Sequence, residues 1–146
     1  MSNDNAQQPA GTKLKVGYKA LLEEANAAIE AIKPEDAKHL QSDPDVVFVD
    51  IRDVRELNRD GTIPGALHAP RGMLEFWVDP ESPYHKPIFS SGKKFVFFCA
   101  SGWRSALATF ALQRMGLTPV CHLEGGFSAW KNAGLLITAV PKPKES

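Results

Sequence analysis

The sequence has little cysteine, no excess of charge of one sign and no long apolar run. Its 146 residues include two cysteines, Cys99 and Cys121, too few for a disulfide framework or a cysteine-rich metal site. Lys and Arg together number 17, as do Asp and Glu, whereas nucleic-acid binders normally carry a basic excess. No apolar stretch approaches the ~18 residues of a membrane span. We therefore expect no nucleic acid, no membrane and no metal among its partners.

The N-terminus lacks the basic start and apolar stretch of a signal peptide, since residues 1–11 are polar. With so few cysteines, this predicts a cytoplasmic protein with reduced thiols. The polar composition of residues 1–12 and 141–146 predicts two disordered tails. Between them we expect an N-terminal helical extension over 13–33 and a single domain over 34–140.

Apolar spacing predicts the helices. Apolar residues three and four apart predict a helix from Gly17 to Lys33, and Pro34 opens a second short helix through Leu40. The same spacing predicts a longer helix over 104–115, a short one over 127–132 and a further short one over 71–77.

Continuous apolar runs predict buried strands at 46–49, 95–98 and 119–123. The last two runs flank the helix over 104–115, which gives a strand–helix–strand unit with parallel strands and a right-handed crossover. The fold class is therefore α/β, with an open, mainly parallel central sheet and helices on both faces.

The loop after the strand at 95–98 has the composition of an anion-binding site. Cys99 ends the strand, and a helix begins near Arg104 or Ser105. Ligands of open α/β sheets bind at this edge. The unpaired N–H groups of the loop and helix start, the helix dipole and the Arg104 guanidinium all favour a Cys99 thiolate. The alternative interpretation, a buried core cysteine, leaves the small polar loop before Arg104 unexplained.

Four segments in series resemble those of the rhodanese-like family, over about residues 35–135. They are Val49-Asp50-Ile51-Arg52, Gly61-Thr62-Ile63-Pro64-Gly65-Ala66, the loop from Cys99 to Ser105, and Leu123-Glu124-Gly125-Gly126-Phe127-Ser128-Ala129-Trp130. Each motif alone is weak, whereas four in the family's order are specific.

The resemblance implies a sulfurtransferase whose Cys99 accepts a sulfane sulfur as a persulfide and passes it to a thiol acceptor. It implies substrate binding by the loop, at Ala100, Ser101, Gly102, Trp103, Arg104 and Ser105. The donor is a small sulfur-containing anion or a protein persulfide, and no cofactor is implied. Oligomeric state stays open.

Two alternatives to a small-molecule sulfurtransferase are kept. In a partner-loaded carrier, Cys99 holds sulfur only when another protein supplies it. The loop interior, with Trp103 and no charge before Arg104, is compatible with this. Cysteine-dependent phosphatases and arsenate reductases are the second alternative, but the phosphatases place one residue more between Cys and Arg.

Other polar residues receive weaker predictions. Asp50 and Arg52 follow a strand expected beside that of Cys99, so they can shape the site, although an ion pair or helix cap is favoured. Cys121 is interpreted as a buried strand residue without a redox role. His68, His85 and His122 have no metal-ligand spacing, and only His85 is singled out for a test near the site.

Overall fold

The structure, a computed structural model, describes residues 5–143. Five strands lie in this range: β1 (Ala31–Ile32), β2 (Val46–Asp50), β3 (Leu67–His68), β4 (Lys94–Phe98) and β5 (Val120–Leu123). Six α-helices lie there as well: α1 (Tyr18–Ala28), α2 (Pro34–Ala37), α3 (Val54–Asp60), α4 (Leu74–Val78), α5 (Trp103–Arg114) and α6 (Gly126–Asn132). Short 3₁₀ turns occupy Lys38–Leu40, Arg71–Met73 and Pro87–Ser90.

The strands form one parallel sheet in the order β1-β5-β4-β2-β3. The central strand β4 pairs with β2 along its whole length, from Lys94 opposite Val46 to Phe98 opposite Asp50. Because all strands run the same way, the residues that follow β2, β4 and β5 meet at one edge of the sheet. The prediction of an open parallel sheet is confirmed.

Helices cover both faces of this sheet, as predicted. Alternate residues of β4 point to opposite faces, so Phe95 and Phe97 join one apolar cluster with residues of α4 and α5. Val96 and Phe98 join a second cluster with residues of α6. Complete burial of each such side chain contributes roughly 1.5–3 kcal/mol, and the two clusters fix β4 between two helical layers.

The N-terminal helix is present but shorter than predicted. It ends at Ala28, so the prediction of helix as far as Lys33 is wrong. The chain instead forms edge strand β1, where the His122 N–H donates to the Glu30 carbonyl (3.1 Å) and the Glu124 N–H to the Ile32 carbonyl (2.8 Å). The open edge of β5 needs these partners, and this requirement overrides the helical spacing of the sequence.

Helix α3 was not predicted, although its start carries a recognisable signal. Asp53 caps the helix by accepting from the Arg55 N–H, and the Glu56 side chain accepts from the Asp53 N–H. This reciprocal arrangement is a capping box, with the spacing Asp-x-x-Glu. The cap places Glu56 at the edge of the sheet beside the end of β4.

Residues 71–92 pack mainly on the α4–α5 face of the sheet. Leu74, Val78 and Phe89 are buried there, and the predicted short helix corresponds to Arg71–Met73 followed by α4. The predicted tails lie partly outside the described residues, at 1–4 and 144–146; residues 5–12 and 141–143 contain no helix or strand. Within residues 5–143, no helix is long and apolar enough to cross a membrane.

Candidate active site

Cys99 lies directly after β4, and the loop that follows leads into α5. The Cys99 side chain is buried, with 1% exposure. Gly102 is the residue before α5 and adopts φ 109°, a left-handed conformation that only glycine adopts readily. This turn lets the chain fold over the Cys99 sulfur before the helix begins.

Three polar groups of the loop contact the Cys99 sulfur. The Gly102 N–H donates to Sγ at 3.2 Å and the Ser105 N–H at 3.4 Å. The thiol in turn donates to the Ser105 hydroxyl oxygen at 3.6 Å. The start of α5 adds partial positive charge at the same point. Backbone donors converging on a buried sulfur are the arrangement that stabilises a thiolate.

The turn before α6 binds the backbone of the Cys99 loop. The Phe127 N–H donates to the Cys99 carbonyl at 2.8 Å, and the Ser128 N–H to the Ala100 carbonyl at 3.0 Å. A Cβ on Gly126 would lie 2.5 Å from the Cys99 oxygen, and Gly126 also has φ +62°. This turn therefore requires glycine, and it fixes the first two carbonyls of the Cys99 loop.

Arg104 points to a carboxylate that sequence reasoning missed. Its guanidinium makes two hydrogen bonds to Glu56, at 2.8 and 3.0 Å. This pairing raises the pKa of Arg104, with a smaller contribution from the nearby Cys99, and it lowers the pKa of Glu56. Glu56 thus orients the one cation of the loop. The Asp-x-x-Glu spacing is the signal that predicts its helix.

Ser105 links Cys99 to a second residue that sequence reasoning missed. Its hydroxyl lies 3.0 Å from Nδ1 of His122 on β5, and both side chains are buried. Burial lowers the pKa of His122, and Glu124 opposes this shift. His122 pairs with Phe97, close to the end of β4, so the register of the sheet brings it near Cys99. The sequence contains no local signal for this contact.

A cavity of about 380 Å³ opens beside the loop. It is lined by Asn26, Ala31, Ser101, Gly102, Trp103, His122, Glu124 and Gly125. Trp103 is 58% exposed, and the centroids of the Trp103 ring and the Tyr18 ring of α1 lie 5.2 Å apart. The N-terminal helix therefore forms part of the surroundings of the loop.

Asp50 and Arg52 form a buried ion pair, with an Nη2–Oδ2 distance of 2.8 Å and about 1% side-chain exposure or less. The Arg52 guanidinium also donates to the Gly61 carbonyl and stacks on Phe127, and Thr62 donates to Asp50. These contacts connect β2 to the turn before β3 and to α6. The pair thus acts on the site through the elements that surround it.

Cys121 and His85 lie apart from the Cys99 loop. Cys121 packs in the apolar cluster with α6, on the face opposite to the cluster of Cys99, and burial raises its pKa to about 11. His85 bonds to the Trp77 carbonyl and to Ser90 in the 71–92 segment. Within residues 5–143, no three His, Cys, Asp or Glu side chains are grouped to hold a metal ion.

The predicted loop residues therefore have different positions. Gly102 and Ser105 contact Cys99, Ala100 is held through its carbonyl, and Ser101 and Trp103 line the cavity. Arg104 is paired with Glu56.

The sequence of residues 33–133 matches the Rhodanese-like domain family. The chain belongs to this family. The resemblance seen in the sequence is thereby confirmed. Among solved structures, a protein of unknown function and possible tyrosine phosphatase from Rhodopseudomonas palustris is 55% identical; the match covers 90% of this chain and 100% of that one, with a TM-score of 0.85. The polysulfide-sulfur transferase homodimer of Wolinella succinogenes is 30% identical, covering 84% of this chain and 88% of that one, with a TM-score of 0.64.

Curated relatives of this rhodanese-like chain include longer proteins. The tRNA uridine(34) hydroxylase of Acaryochloris marina is 34% identical over 69% of this chain and 32% of its own length. That of Albidiferax ferrireducens is 36% identical over 65% of this chain and 30% of its own length. The chain thus spans about a third of these two relatives.

Proposed function

We propose that this rhodanese-like protein is a sulfurtransferase that carries a sulfane sulfur on Cys99. The observation that carries the proposal is the convergence of two backbone N–H groups on a buried Cys99 sulfur, with the nearby Arg104 held by Glu56. The first feature suits a thiolate nucleophile, and the second suits an anionic donor. The polysulfide-sulfur transferase relative has the same fold, which supports this chemistry.

The transfer takes two displacement steps. In the first, the Cys99 thiolate attacks the sulfane sulfur of thiosulfate; a sulfur–sulfur bond forms, the bond to the sulfite sulfur breaks, and sulfite leaves with its electron pair. In the second, a thiolate or cyanide attacks the outer sulfur, the bond between the two sulfurs of the persulfide breaks, and Cys99 leaves as a thiolate. Splitting the transfer in this way is nucleophilic catalysis. The loop N–H groups stabilise negative charge on sulfur in both steps.

The proposal has two forms, which differ in whether the sulfur donor is a small anion or a protein persulfide. A small anion can reach Arg104, whose side chain is 43% exposed. A protein persulfide instead needs a surface to contact, and the exposed Trp103 with Tyr18 beside it offers one. The partner-loaded carrier therefore stays as the alternative. The name of the hydroxylase relatives describes longer proteins, of which this chain matches about a third.

A phosphatase is the second candidate, and one observation favours it. The relative from Rhodopseudomonas palustris is described as a possible tyrosine phosphatase and covers nearly all of this chain. Against it, four residues separate Cys99 from Arg104, one fewer than in cysteine-dependent phosphatases. A loop one residue shorter suits a single sulfur atom better than a whole phosphate.

Mass spectrometry of the persulfide tests the proposal. The protein is incubated with thiosulfate, its peptides are weighed, and cyanide is added while thiocyanate is assayed. We expect a gain of one sulfur on the Cys99 peptide that disappears as thiocyanate forms. Cys99→Ser abolishes both signals, whereas the control Cys121→Ser changes neither, since Cys121 is a buried thiol on the other face.

Other results have distinct meanings. No sulfur gain from thiosulfate, but a gain from a protein persulfide donor, selects the partner-loaded carrier. The wild type could instead hydrolyse an aryl phosphate without any sulfur gain on Cys99. If Cys99→Ser loses that hydrolysis, the protein is a phosphatase and the sulfurtransferase proposal is wrong. Equal loss in the folded Cys99→Ser and Cys121→Ser variants contradicts a mechanism based on Cys99 alone.

A further inference from the structure

His122 and Ser105 are connected to Cys99 by a continuous chain of hydrogen bonds. The Cys99 thiol donates to the Ser105 oxygen at 3.6 Å, and this oxygen lies 3.0 Å from His122 Nδ1. The Ser105 hydroxyl has one other acceptor, the Gly102 carbonyl, at the longer distance of 3.4 Å. All three side chains are 5% exposed or less, so water competes little for these bonds.

The His122 ring also faces the cavity beside the loop. With Nδ1 engaged by Ser105, the second ring nitrogen has no hydrogen bond to any residue between 5 and 143, and the ring lines the cavity. Burial lowers the pKa of His122, which keeps the ring neutral near pH 7. A neutral imidazole has one donor nitrogen and one acceptor nitrogen, and which is which can change.

Few charged groups surround the hydrogen-bonded chain from Cys99 to His122. Arg104 lies beside Cys99 on α5, and its partner there is Glu56. Glu124 follows β5 and acts on His122. On the neighbouring edge strand, Glu30 is engaged by Lys94. None of them lies between Cys99 and His122 in the hydrogen-bonded chain, which runs through Ser105.

We propose that His122 is a positioning residue. When Cys99 ionises, it lets the Ser105 hydroxyl change its hydrogen-bond acceptor from His122 Nδ1 to the Cys99 sulfur. With the thiol present, S–H donates to Ser105 Oγ, and the hydroxyl donates to His122 Nδ1. On ionisation, the sulfur proton passes to Oγ, the hydroxyl proton passes to Nδ1, and the proton on Nε2 leaves into the cavity. Cys99 is then a thiolate that accepts from the hydroxyl, and His122 remains neutral with its proton on Nδ1.

This relay deepens the proposed sulfurtransferase. A third donor to the sulfur appears only when the sulfur is charged, so it favours the thiolate over the thiol. A hydrogen bond to a charged group is strong enough to move a titration midpoint by about one pH unit. The relay concerns only the free thiol, and its tests are therefore independent of sulfur transfer.

The test combines NMR and alkylation on the intact chain. The ring nitrogens of His122 are followed by ¹⁵N NMR against pH, and the rate of Cys99 alkylation by iodoacetamide is measured on the same samples. We expect the His122 tautomer to change at the midpoint of Cys99 alkylation. That change disappears in Cys99→Ser and in Ser105→Ala. The alkylation midpoint of Ser105→Ala rises by about one pH unit.

Two substitutions of His122 separate positioning from packing. Asn keeps a polar atom at the place of Nδ1, whereas Leu has a similar size and no partner for Ser105. We expect an alkylation midpoint near that of the wild type for His122→Asn, and one close to that of Ser105→Ala for His122→Leu. His85→Asn, in the distant 71–92 segment, is the matched control and should change nothing.

The relay is overturned if the His122 nitrogens stay unchanged while Cys99 ionises, or if Ser105→Ala alkylates with the wild-type midpoint. Persulfide formation that persists in either case leaves the sulfurtransferase intact and removes only the relay. Conversely, coupling without any sulfur gain on Cys99 keeps the relay and overturns the proposed function.

Discussion

At the scale of single residues, Glu56 contacts two groups, the backbone N–H of Asp53 and the guanidinium of Arg104. Its carboxylate accepts from the Asp53 N–H, which completes the cap of α3, and it binds both terminal nitrogens of Arg104. The second contact joins residues 48 positions apart. One carboxylate therefore connects the start of a helix to the orientation of Arg104, the cation to which we assign the anionic donor in the proposed function.

Glu56→Gln isolates the charge of this contact. Gln also completes a capping box, so α3 should persist while Arg104 loses its ion pair. Because partly exposed pairs are weak, we expect KM for thiosulfate to rise by about twofold to fivefold, with kcat little changed. Steady-state kinetics of the variant measure this. Asp60→Asn, which removes a carboxylate from the same helix, is the control; an equal effect there would contradict the assignment.

The pH dependence of the contact has a defined sign. Arg104 lowers the pKa of Glu56 below its ordinary value of 4.5. The ion pair is therefore fully formed above that value and is lost as pH falls through the lowered pKa. The ratio of KM between Glu56→Gln and the wild type should stay constant above about pH 5. It should fall towards one only in stronger acid, where Glu56 of the wild type is protonated as well.

At the scale of elements, the turn between β5 and α6 supports the Cys99 loop. The N–H groups of Phe127 and Ser128 bind the carbonyls of Cys99 and Ala100, and Gly126 allows the two backbones to touch. The Cys99 loop thus depends on a segment more than 20 residues away in the chain, as the bond between Phe127 and Cys99 shows.

Gly126→Ala is expected to damage the site more than the fold. The new methyl group would meet the Cys99 and Ala100 carbonyls at 2.5 and 2.7 Å, and their displacement moves the donors around Sγ. Loss of one hydrogen bond to the thiolate should slow Cys99 alkylation by about tenfold or more at neutral pH. Alkylation kinetics and thermal melts are the measurements.

The matched control for this substitution is Gly134→Ala. Gly134 also has a positive φ, of +75°, but nothing lies within 4 Å of its Cβ position. Both variants carry the cost of a left-handed alanine, about 1–2 kcal/mol, and only Gly126→Ala should slow alkylation. Similar alkylation rates for the two would show that the turn does not position the loop.

At the scale of the whole molecule, the Asp50–Arg52 pair joins three parts of the fold. Asp50 ends β2, Arg52 donates to the Gly61 carbonyl before β3, and its guanidinium lies 4.3 Å from the centre of the Phe127 ring on α6. Because the pair is buried, removal of one partner leaves an uncompensated charge in the interior. We infer that its main effect is on stability.

Arg52→Met tests this inference through urea denaturation. Breaking a buried pair typically costs about 3–5 kcal/mol of unfolding free energy, and we expect a loss of this size. Arg59→Met removes an arginine from an exposed pair with Asp60 and should leave the free energy of unfolding unchanged. A small loss in Arg52→Met, equal to that of the control, would mean that the pair contributes little to the fold.

The amino-acid sequence by itself determined the architecture and the candidate nucleophile. Continuous apolar runs at β2, β4 and β5 identify buried parallel strands, and the small polar loop after Cys99 identifies the site. These features are local, since propensity, patterning and turn chemistry act over a few residues. The sequence also contains enough information to predict helix α3, because the spacing from Asp53 to Glu56 is that of a capping box.

Only the tertiary structure decided how distant residues meet. The register of β5 against β4 brings His122 to Ser105, the packing of α3 brings Glu56 to Arg104, and the open edge of β5 turns Ala31–Ile32 from helix into strand. Each outcome depends on hydrogen bonds or charges between elements far apart in the chain. Their partners are defined only once the sheet has formed, so no local pattern specifies them.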